Sequence, residues 1–282
     1  MNDTTHRSTS AHGVSSSCPF HSDLAQSSFP GKSALRKTMI LTGASRGIGH
    51  ATVKLFSQAG WRIITCSRHP FNRDRCPWDL GPEDHVQVDL ADHRAVPLAI
   101  ADIRARLNGD PVHALVNNAV SEGRRQYAHD GADDLDRDLD ECVPCEFPCA
   151  DPAGARVVRR AKKGRGTVVN LTSIVGVRVH PFAGTAYATS KAALACLTRE
   201  MAHDFAPHGI RVNAISPGEI RTDILSPDTE ARLASSIPMR RIGTPEEVAN
   251  VVFFLCSDAA SYVTGEEIQI NGGQHLRLPY TR

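Results

Sequence analysis

Thr38-Met39-Ile40-Leu41-Thr42-Gly43-Ala44-Ser45-Arg46-Gly47-Ile48-Gly49 is the stretch on which the fold of this chain is decided. A short apolar run enters a glycine loop and leaves into Ile48, Ala51, Leu55 and Phe56, apolar positions at helical spacing. Gly60 then serves as the C-cap that closes the helix. Glycines let the backbone turn sharply and approach a pyrophosphate, whose charge is met by N–H groups at the helix N-terminus. The spacing is Gly-x-x-x-Gly-x-Gly, not the Gly-x-Gly-x-x-Gly of the dinucleotide fingerprint, but the physics is shared. Taken alone, the glycines also fit a plain strand-to-helix turn.

A second pattern lies far along the chain, in Tyr187-Ala188-Thr189-Ser190-Lys191, with Ser173 upstream. Residues four apart on a helix share a face, so an ammonium can stand beside a phenol. A tyrosine with a pKa of about 10 is a poor base near neutrality. A nearby cation favours the phenolate and makes the side chain usable as a general acid/base. Tyr-x-x-x-Lys also occurs as an ordinary pair of helix-surface neighbours; its weight here comes from the glycine turn in the same chain.

With Thr42 to Gly49, Asn117-Asn118-Ala119, Ser173, Tyr187 to Lys191 and Asn213-Ala214-Ile215-Ser216-Pro217-Gly218 in this order, the chain resembles the short-chain dehydrogenase/reductase family. The resemblance runs from about Thr38 to Gly273, and Ile270-Asn271-Gly272-Gly273 is similar to the family's last strand and turn. It implies an α/β fold: a Rossmann-like doubly wound parallel sheet in three αβα layers, forming one domain over residues 37–275. It also implies an NAD(P)-dependent oxidoreductase that moves a hydride between the nicotinamide and a carbonyl or secondary alcohol. Tyr187 would be the general acid/base, Ser173 would hydrogen-bond the substrate oxygen, and Lys191 would lower the Tyr187 pKa while holding the ribose hydroxyls.

The same resemblance assigns cofactor contacts. They fall on Gly43, Ser45, Arg46, Gly47, Ile48 and Gly49 in the first turn, and on Ser67 and Arg68 after the second strand. Asp89 and Leu90, Asn117 and Ala119, Tyr187 and Lys191, and Pro217, Gly218, Ile220 and Thr222 complete the set. Asp89 reads equally well as a strand-end cap, and Thr222 as a helix N-cap. An NAD-specific site places a carboxylate at the second strand's end, whereas an arginine takes a 2′-phosphate. No Asp or Glu lies between Trp61 and Phe71, and Arg46 and Arg68 both supply charge-assisted donors, so NADP is the expected cofactor and NAD the alternative. Substrate contacts are expected from Ser173, His180, Tyr187 and Glu219. The chemistry of that lining suits a small or medium carbonyl compound or alcohol, whether sugar, steroid or ketoacyl group.

Composition narrows the rest. The 282 residues suffice for one α/β domain with a substantial core. A formal net charge of +1 argues against a polyanion-binding surface, so no nucleic-acid partner is expected. No apolar stretch is long enough to span a bilayer. Residues 1–36, rich in Ser, Thr and His without an apolar h-region, read as a disordered leader, with a transit peptide as alternative. A cytoplasmic location is the expectation, and residues 276–282 form a C-terminal tail. The eight cysteines read as reduced thiols. Cys142, Cys145 and Cys149 lack a fourth ligand at finger spacing, so no metal is expected. Asp134 to Asp138 begins like a calcium loop, but Leu139 stands where the sharp-turn glycine belongs.

Strands are expected at Arg62–Cys66, Val86–Asp89, Val112–Val116, Thr167–Leu171, Arg211–Ile215 and Ile268–Ile270. Helical patterns run through Leu194, Leu197, Met201 and Phe205 to Gly209, and from Pro245 to Cys256 behind a Thr244 N-cap. From Val120 to about Arg160 both periodicity and resemblance fail. Pro144, Pro148 and Pro152 recur every four residues, each costing a helix about 3 kcal/mol or more. Glu146 falls near the place where the family carries an asparagine. Two compensating frame changes would produce such a segment, and genuine divergence is the alternative. The family's helix there helps build its subunit interface. The expectation is therefore a homodimer or homotetramer weakened by its loss, with turnover impaired and cofactor binding less affected.

Overall fold

The computed structural model describes residues 36–74, 76, 81–92, 94–119, 166–180, 183–221 and 227–276. Residues 1–35 of the leader, the segment from Val120 to Arg160, and Thr222 lie outside these residues, as do Cys142, Cys145, Cys149 and Glu146.

Thr38–Thr42 forms strand β1, buried along its whole length, as a strand covered on both faces must be. Its side chains alternate between two cores. Ile40 joins Ile64, Leu115, Val168 and Val212 beneath helices α2 (Ala95–Leu107) and α3 (Thr185–Phe205). Met39 and Leu41 join Val116, Val169 and Ile215 beneath α1 (Gly47–Gln58) and, after a short α4 (Pro227–Ser235), α5 (Pro245–Leu255). Helices on both faces make the three layers. The sheet adds β2 (Arg62–Ser67), β3 (His85–Gln87), β4 (Ala114–Asn117), β5 (Gly166–Leu171), β6 (Ile210–Pro217) and β7 (Glu267–Ile270). Its order is β3-β2-β1-β4-β5-β6-β7, every pairing parallel. The expected doubly wound α/β fold is thus the observed one, and the order reverses between β1 and β4, where such sheets open a ligand crevice.

Local chemistry explains the boundaries. β3 ends at Gln87 and not at Asp89, because the Asp89 carboxylate accepts the Ala91 N–H at 3.1 Å and turns the chain out of the ladder. α2 tolerates Pro97 because it lies in the first turn, where its missing N–H has no partner to lose. α1 ends on Gln58, and Gly60 (φ 78°) takes the left-handed position just beyond it. α5 is opened by a full capping box between Thr244 and Glu247. Hydrogen bonds from Arg241, 2.6 and 2.8 Å long, and from the Thr244 N–H draw the Glu247 carboxyl down to about 2.

Two histidines give the sheet an acid sensitivity. His113 Nδ1 accepts the Thr38 N–H at 3.0 Å where β1 begins, and burial together with the Lys37 cation lowers its pKa. The His85 ring bridges the Thr65 hydroxyl and the His69 carbonyl, both at 2.8 Å; burial lowers its pKa, with Arg106 adding to the effect. A histidine with a depressed folded pKa stabilises fully above its unfolded value of 6.5, and that contribution is lost as pH falls toward the folded value. The melting temperature should therefore drop as pH is lowered from 7 to 5. A His85→Gln/His113→Asn double variant should flatten the slope; an unchanged slope would clear both histidines.

Candidate functional site

The glycine turn is built by close approach. A Cβ on Gly49 would stand 2.1 Å from the Gly43 carbonyl oxygen, and one on Gly43 (φ 69°) would stand 2.8 Å from the Ala119 Cα. Asn118 stitches the turn to the end of β4: its Nδ2 donates to the carbonyls of Thr42 and Gly43 at 3.1 and 2.8 Å. Thr42 Oγ1 accepts the N–H groups of Asn118 and Ala119 at 3.0 and 2.9 Å. Neither Thr42 nor the Asn118 side chain figures among the expected site residues, although both fall within the motif stretches.

At the head of α1, Arg46 is extended and offers no side-chain cap, and the first turn carries no acid. Gly47 (φ 55°) faces open space. α5, in the same molecule, has both a cap and two glutamates in its first turn. The contrast bears on cofactor fit: a helix whose leading N–H groups lack a side-chain cap, entered through glycines, suits a pyrophosphate. Nearby, the backbone after β2 is held by Ser67 Oγ donating to the His69 carbonyl and Gln87 Nε2 donating to the Arg68 carbonyl, both at 2.9 Å. Arg46 and Arg68 are exposed at the C-terminal ends of neighbouring strands β1 and β2.

Several expected contacts change character. Asp89 spends a carboxylate oxygen on its own turn. The Leu90 side chain is packed into the core, so a contact from that position has to come from the backbone. Asn117 is also buried: its Nδ2 donates to Asn170 Oδ1 at 2.8 Å, and Asn170 Nδ2 donates to Thr198 Oγ1 at 2.9 Å. Asn117 therefore ties β4 through β5 to α3 by its Nδ2, while its Oδ1 is buried without a hydrogen-bond partner. Asn170 and Thr198 carried no sequence signal beyond being polar inside apolar runs.

α3 carries Tyr187 and Lys191 on one face, with Lys191 Nζ 5.7 Å from the Tyr187 ring centroid. Lys191 is buried, and its Nζ donates to the Leu171 carbonyl at 2.9 Å. Ser173 follows β5 and caps the short turn Ile174–Gly176, its Oγ accepting the Val175 N–H at 3.5 Å. Gly176 lets that turn press on α3, since a Cβ there would lie 3.0 Å from both the Lys191 carbonyl carbon and the Ala192 nitrogen. Ser173, Tyr187 and Lys191 are thereby gathered at one sheet edge. Beyond β6, Gly218 N–H donates to the Ile270 carbonyl at 2.9 Å, and Ile220 forms a bridge with Gly243. His180 Nε2 pairs with Glu219 Oε1 at 2.9 Å.

Burial raises the thiols of Cys66 and Cys256 to about 12, which leaves both unreactive near neutrality. Among the described residues no group of three or more His, Cys, Asp or Glu could hold a metal, and no helix is long and apolar enough to cross a membrane.

A parallel sheet with an uncapped helix behind a glycine turn, and a serine, tyrosine and lysine at the same edge, defines an α/β protein of the Rossmann type. The family model described as Enoyl-(Acyl carrier protein) reductase matches residues 43–275. Protein FixR of Bradyrhizobium diazoefficiens is 61% identical over 243 residues, 85% of this chain and 87% of that protein. An oxidoreductase of the short-chain dehydrogenase/reductase family from Brucella ovis, solved with a partially ordered NAD, is 50% identical. It superposes with a TM-score of 0.67, covering 84% of this chain and 100% of that one. ElxO, solved as a tyrosine-to-phenylalanine variant with NADPH, has 26% identity and a TM-score of 0.75, covering 86% of this chain and 100% of that one. The chain belongs to the short-chain dehydrogenase/reductase family of oxidoreductases.

Proposed function

We propose that the protein is an NADP-preferring reductase or dehydrogenase acting on a carbonyl compound or secondary alcohol. The observation that carries this reading is the placement of buried Lys191 beside the Tyr187 ring, against the Ser173 turn, at the sheet edge that also bears the uncapped α1. The pyrophosphate would rest on the turn from Gly43 to Gly49, and the ribose hydroxyls on Tyr187 and Lys191. Backbone groups of Ala119, Leu90, Pro217, Gly218 and Ile220 would line the remainder, with Ser45, Ile48 and Ser67 nearby. The nicotinamide, when bound, supplies the carbon that exchanges hydride with the substrate. In the reductive direction Ser173 donates a hydrogen bond to the substrate oxygen, and Tyr187 donates the proton that oxygen acquires. The Lys191 ammonium favours the phenolate that remains. Carbonyl-dependent NADPH oxidation by the purified chain tests the reading, and silence across a broad carbonyl panel would overturn it.

The cofactor preference rests on the two arginines at the ends of β1 and β2 and on the lack of an acid between Trp61 and Phe71. Related structures hold NAD in one case and NADPH in another, so family alone does not decide. A charge-assisted hydrogen bond contributes about 1.5–3 kcal/mol. Arg68→Ala should therefore raise the KM for NADPH about tenfold to a hundredfold and leave that for NADH nearly unchanged. A lower wild-type KM for NADH than for NADPH would reverse the assignment.

A second reading, cofactor binding with little or no turnover and a weakened homodimer or homotetramer, rests on Pro144, Pro148 and Pro152. Turnover at ordinary reductase rates by a stable tetramer would exclude it.

A further inference from the structure

We infer that the His180–Glu219 pair is a specificity device, selecting neutral carbonyl compounds or alcohols that carry additional hydroxyl groups. The inference rests on the reading of the site as a carbonyl or alcohol oxidoreductase and adds the class of substrate.

The pair is placed where a substrate would be judged. His180 lies midway in the chain between Ser173 and Tyr187, and Glu219 lies two residues beyond Pro217, the last residue of β6. β5 and β6 are adjacent, with Leu171 opposite Ile215, so the two loops rise side by side from the same edge. His180 Nε2 and Glu219 Oε1 close the gap between them at 2.9 Å, with side chains 17% and 21% exposed.

Neither loop depends on this bridge for its shape. The first is turned by Gly176 N–H on the Ser173 carbonyl and Arg178 N–H on the Ile174 carbonyl, both at 3.0 Å, and Arg178 Nη1 also donates to the Gln274 carbonyl. The second is held by Gly243 N–H on the Glu219 carbonyl at 2.9 Å and Arg221 N–H on the Gly243 carbonyl at 2.8 Å. With backbone hydrogen bonds shaping both loops, the pair's consequence falls on what enters between them.

That consequence follows from hydrogen-bond chemistry. A carboxylate offers about four acceptor positions, and the bond to His180 uses one. A ligand hydroxyl can donate to the carboxylate as its water is displaced. A hydrocarbon group displaces the same water and returns nothing, which is costly beside charge. A ligand carboxylate or phosphate meets the Glu219 charge at short range and is repelled. The pair therefore ranks hydroxylated above apolar and above anionic substrates.

Erythrulose, butanone and 2-oxobutanoate are ketones of equal carbon count that separate these classes. With NADPH, the wild-type kcat/KM for erythrulose should exceed that for butanone about tenfold to a hundredfold, and 2-oxobutanoate should be poorest. Glu219→Leu should invert the erythrulose-to-butanone ratio, and the isosteric Glu219→Gln should raise kcat/KM for 2-oxobutanoate about tenfold. Binding is read independently: with NADP bound, erythritol should raise the melting temperature of the Tyr187→Phe chain, and adding Glu219→Leu should abolish the rise. Equal or better use of butanone by the wild type, or a preference unmoved in Glu219→Leu, would overturn the inference while leaving the oxidoreductase reading intact. If no ketone is reduced, that reading fails instead. The erythritol shift then decides the inference, supporting it where it depends on Glu219 and overturning it where it does not.

Discussion

Tyr187→Phe is expected to lower kcat about a hundredfold to ten-thousandfold, the range that a positioned general acid/base supplies. The substitution is sharp because it removes one hydroxyl and little else. The ring that Lys191 Nζ faces at 5.7 Å remains, so the cation–ring contact survives. Lys191 keeps its 2.9 Å hydrogen bond to the Leu171 carbonyl, and α3 keeps the tie from Thr198 to Asn170. Helix position, Ser173 turn and glycine turn should all persist. NADPH affinity should therefore fall by less than about tenfold, the worth of one hydrogen bond to the ribose. A large kcat loss with a small affinity loss is the signature of a group that acts in the transition state. Undiminished turnover in the variant would remove Tyr187 from the mechanism, whatever the geometry of its neighbours.

What the chain disclosed before folding was whatever depends on near neighbours. The turn from Thr42 to Gly49 is governed by backbone sterics within a few residues, and Tyr187 and Lys191 share a face through helix period alone. The α5 cap was readable for the same reason, since Thr244 and Glu247 are three residues apart. Contacts across long separations left no comparable trace. Asn117 reads as a cleft residue by motif, and nothing local announces its hydrogen bond to Asn170, 53 residues away. The His180–Glu219 pair could be named residue by residue but not as a pair, because nothing local makes two loops from adjacent strands meet. α4 escapes the sequence pattern because its sequence, Pro-Asp-Thr-Glu-Ala-Arg-Leu-Ala-Ser, is mostly polar and only 9 residues long, shorter than the window over which a helical period declares itself. The sequence pattern carries β3 two residues too far because Val88 and Asp89 continue the strand alternation, while the Asp89 side chain ends it.

Gly49→Ala should be the most damaging single-methyl substitution in the turn between β1 and α1. Its Cβ would lie 2.1 Å from the Gly43 oxygen, 2.9 Å from the Gly43 carbon and 2.6 Å from Asn118 Nδ2. Two of those atoms are backbone, and the third is held by bonds to the Thr42 and Gly43 carbonyls. No rotamer change relieves the contact, so the turn itself has to open. Overpacking of this kind costs about 1–3 kcal/mol, and the displaced N–H groups are those proposed to meet the pyrophosphate. The expected result is a loss of NADPH affinity of about a hundredfold or more, with a lowered melting temperature. Gly60→Ala separates the two effects. At the far end of the same helix, Gly60 has φ 78° and open space around its Cβ position, so alanine there costs backbone strain of about 1 kcal/mol without touching the turn. That variant should melt earlier and bind NADPH as the wild type does. Should Gly49→Ala also bind NADPH with wild-type affinity, the turn between β1 and α1 is not where the phosphates sit.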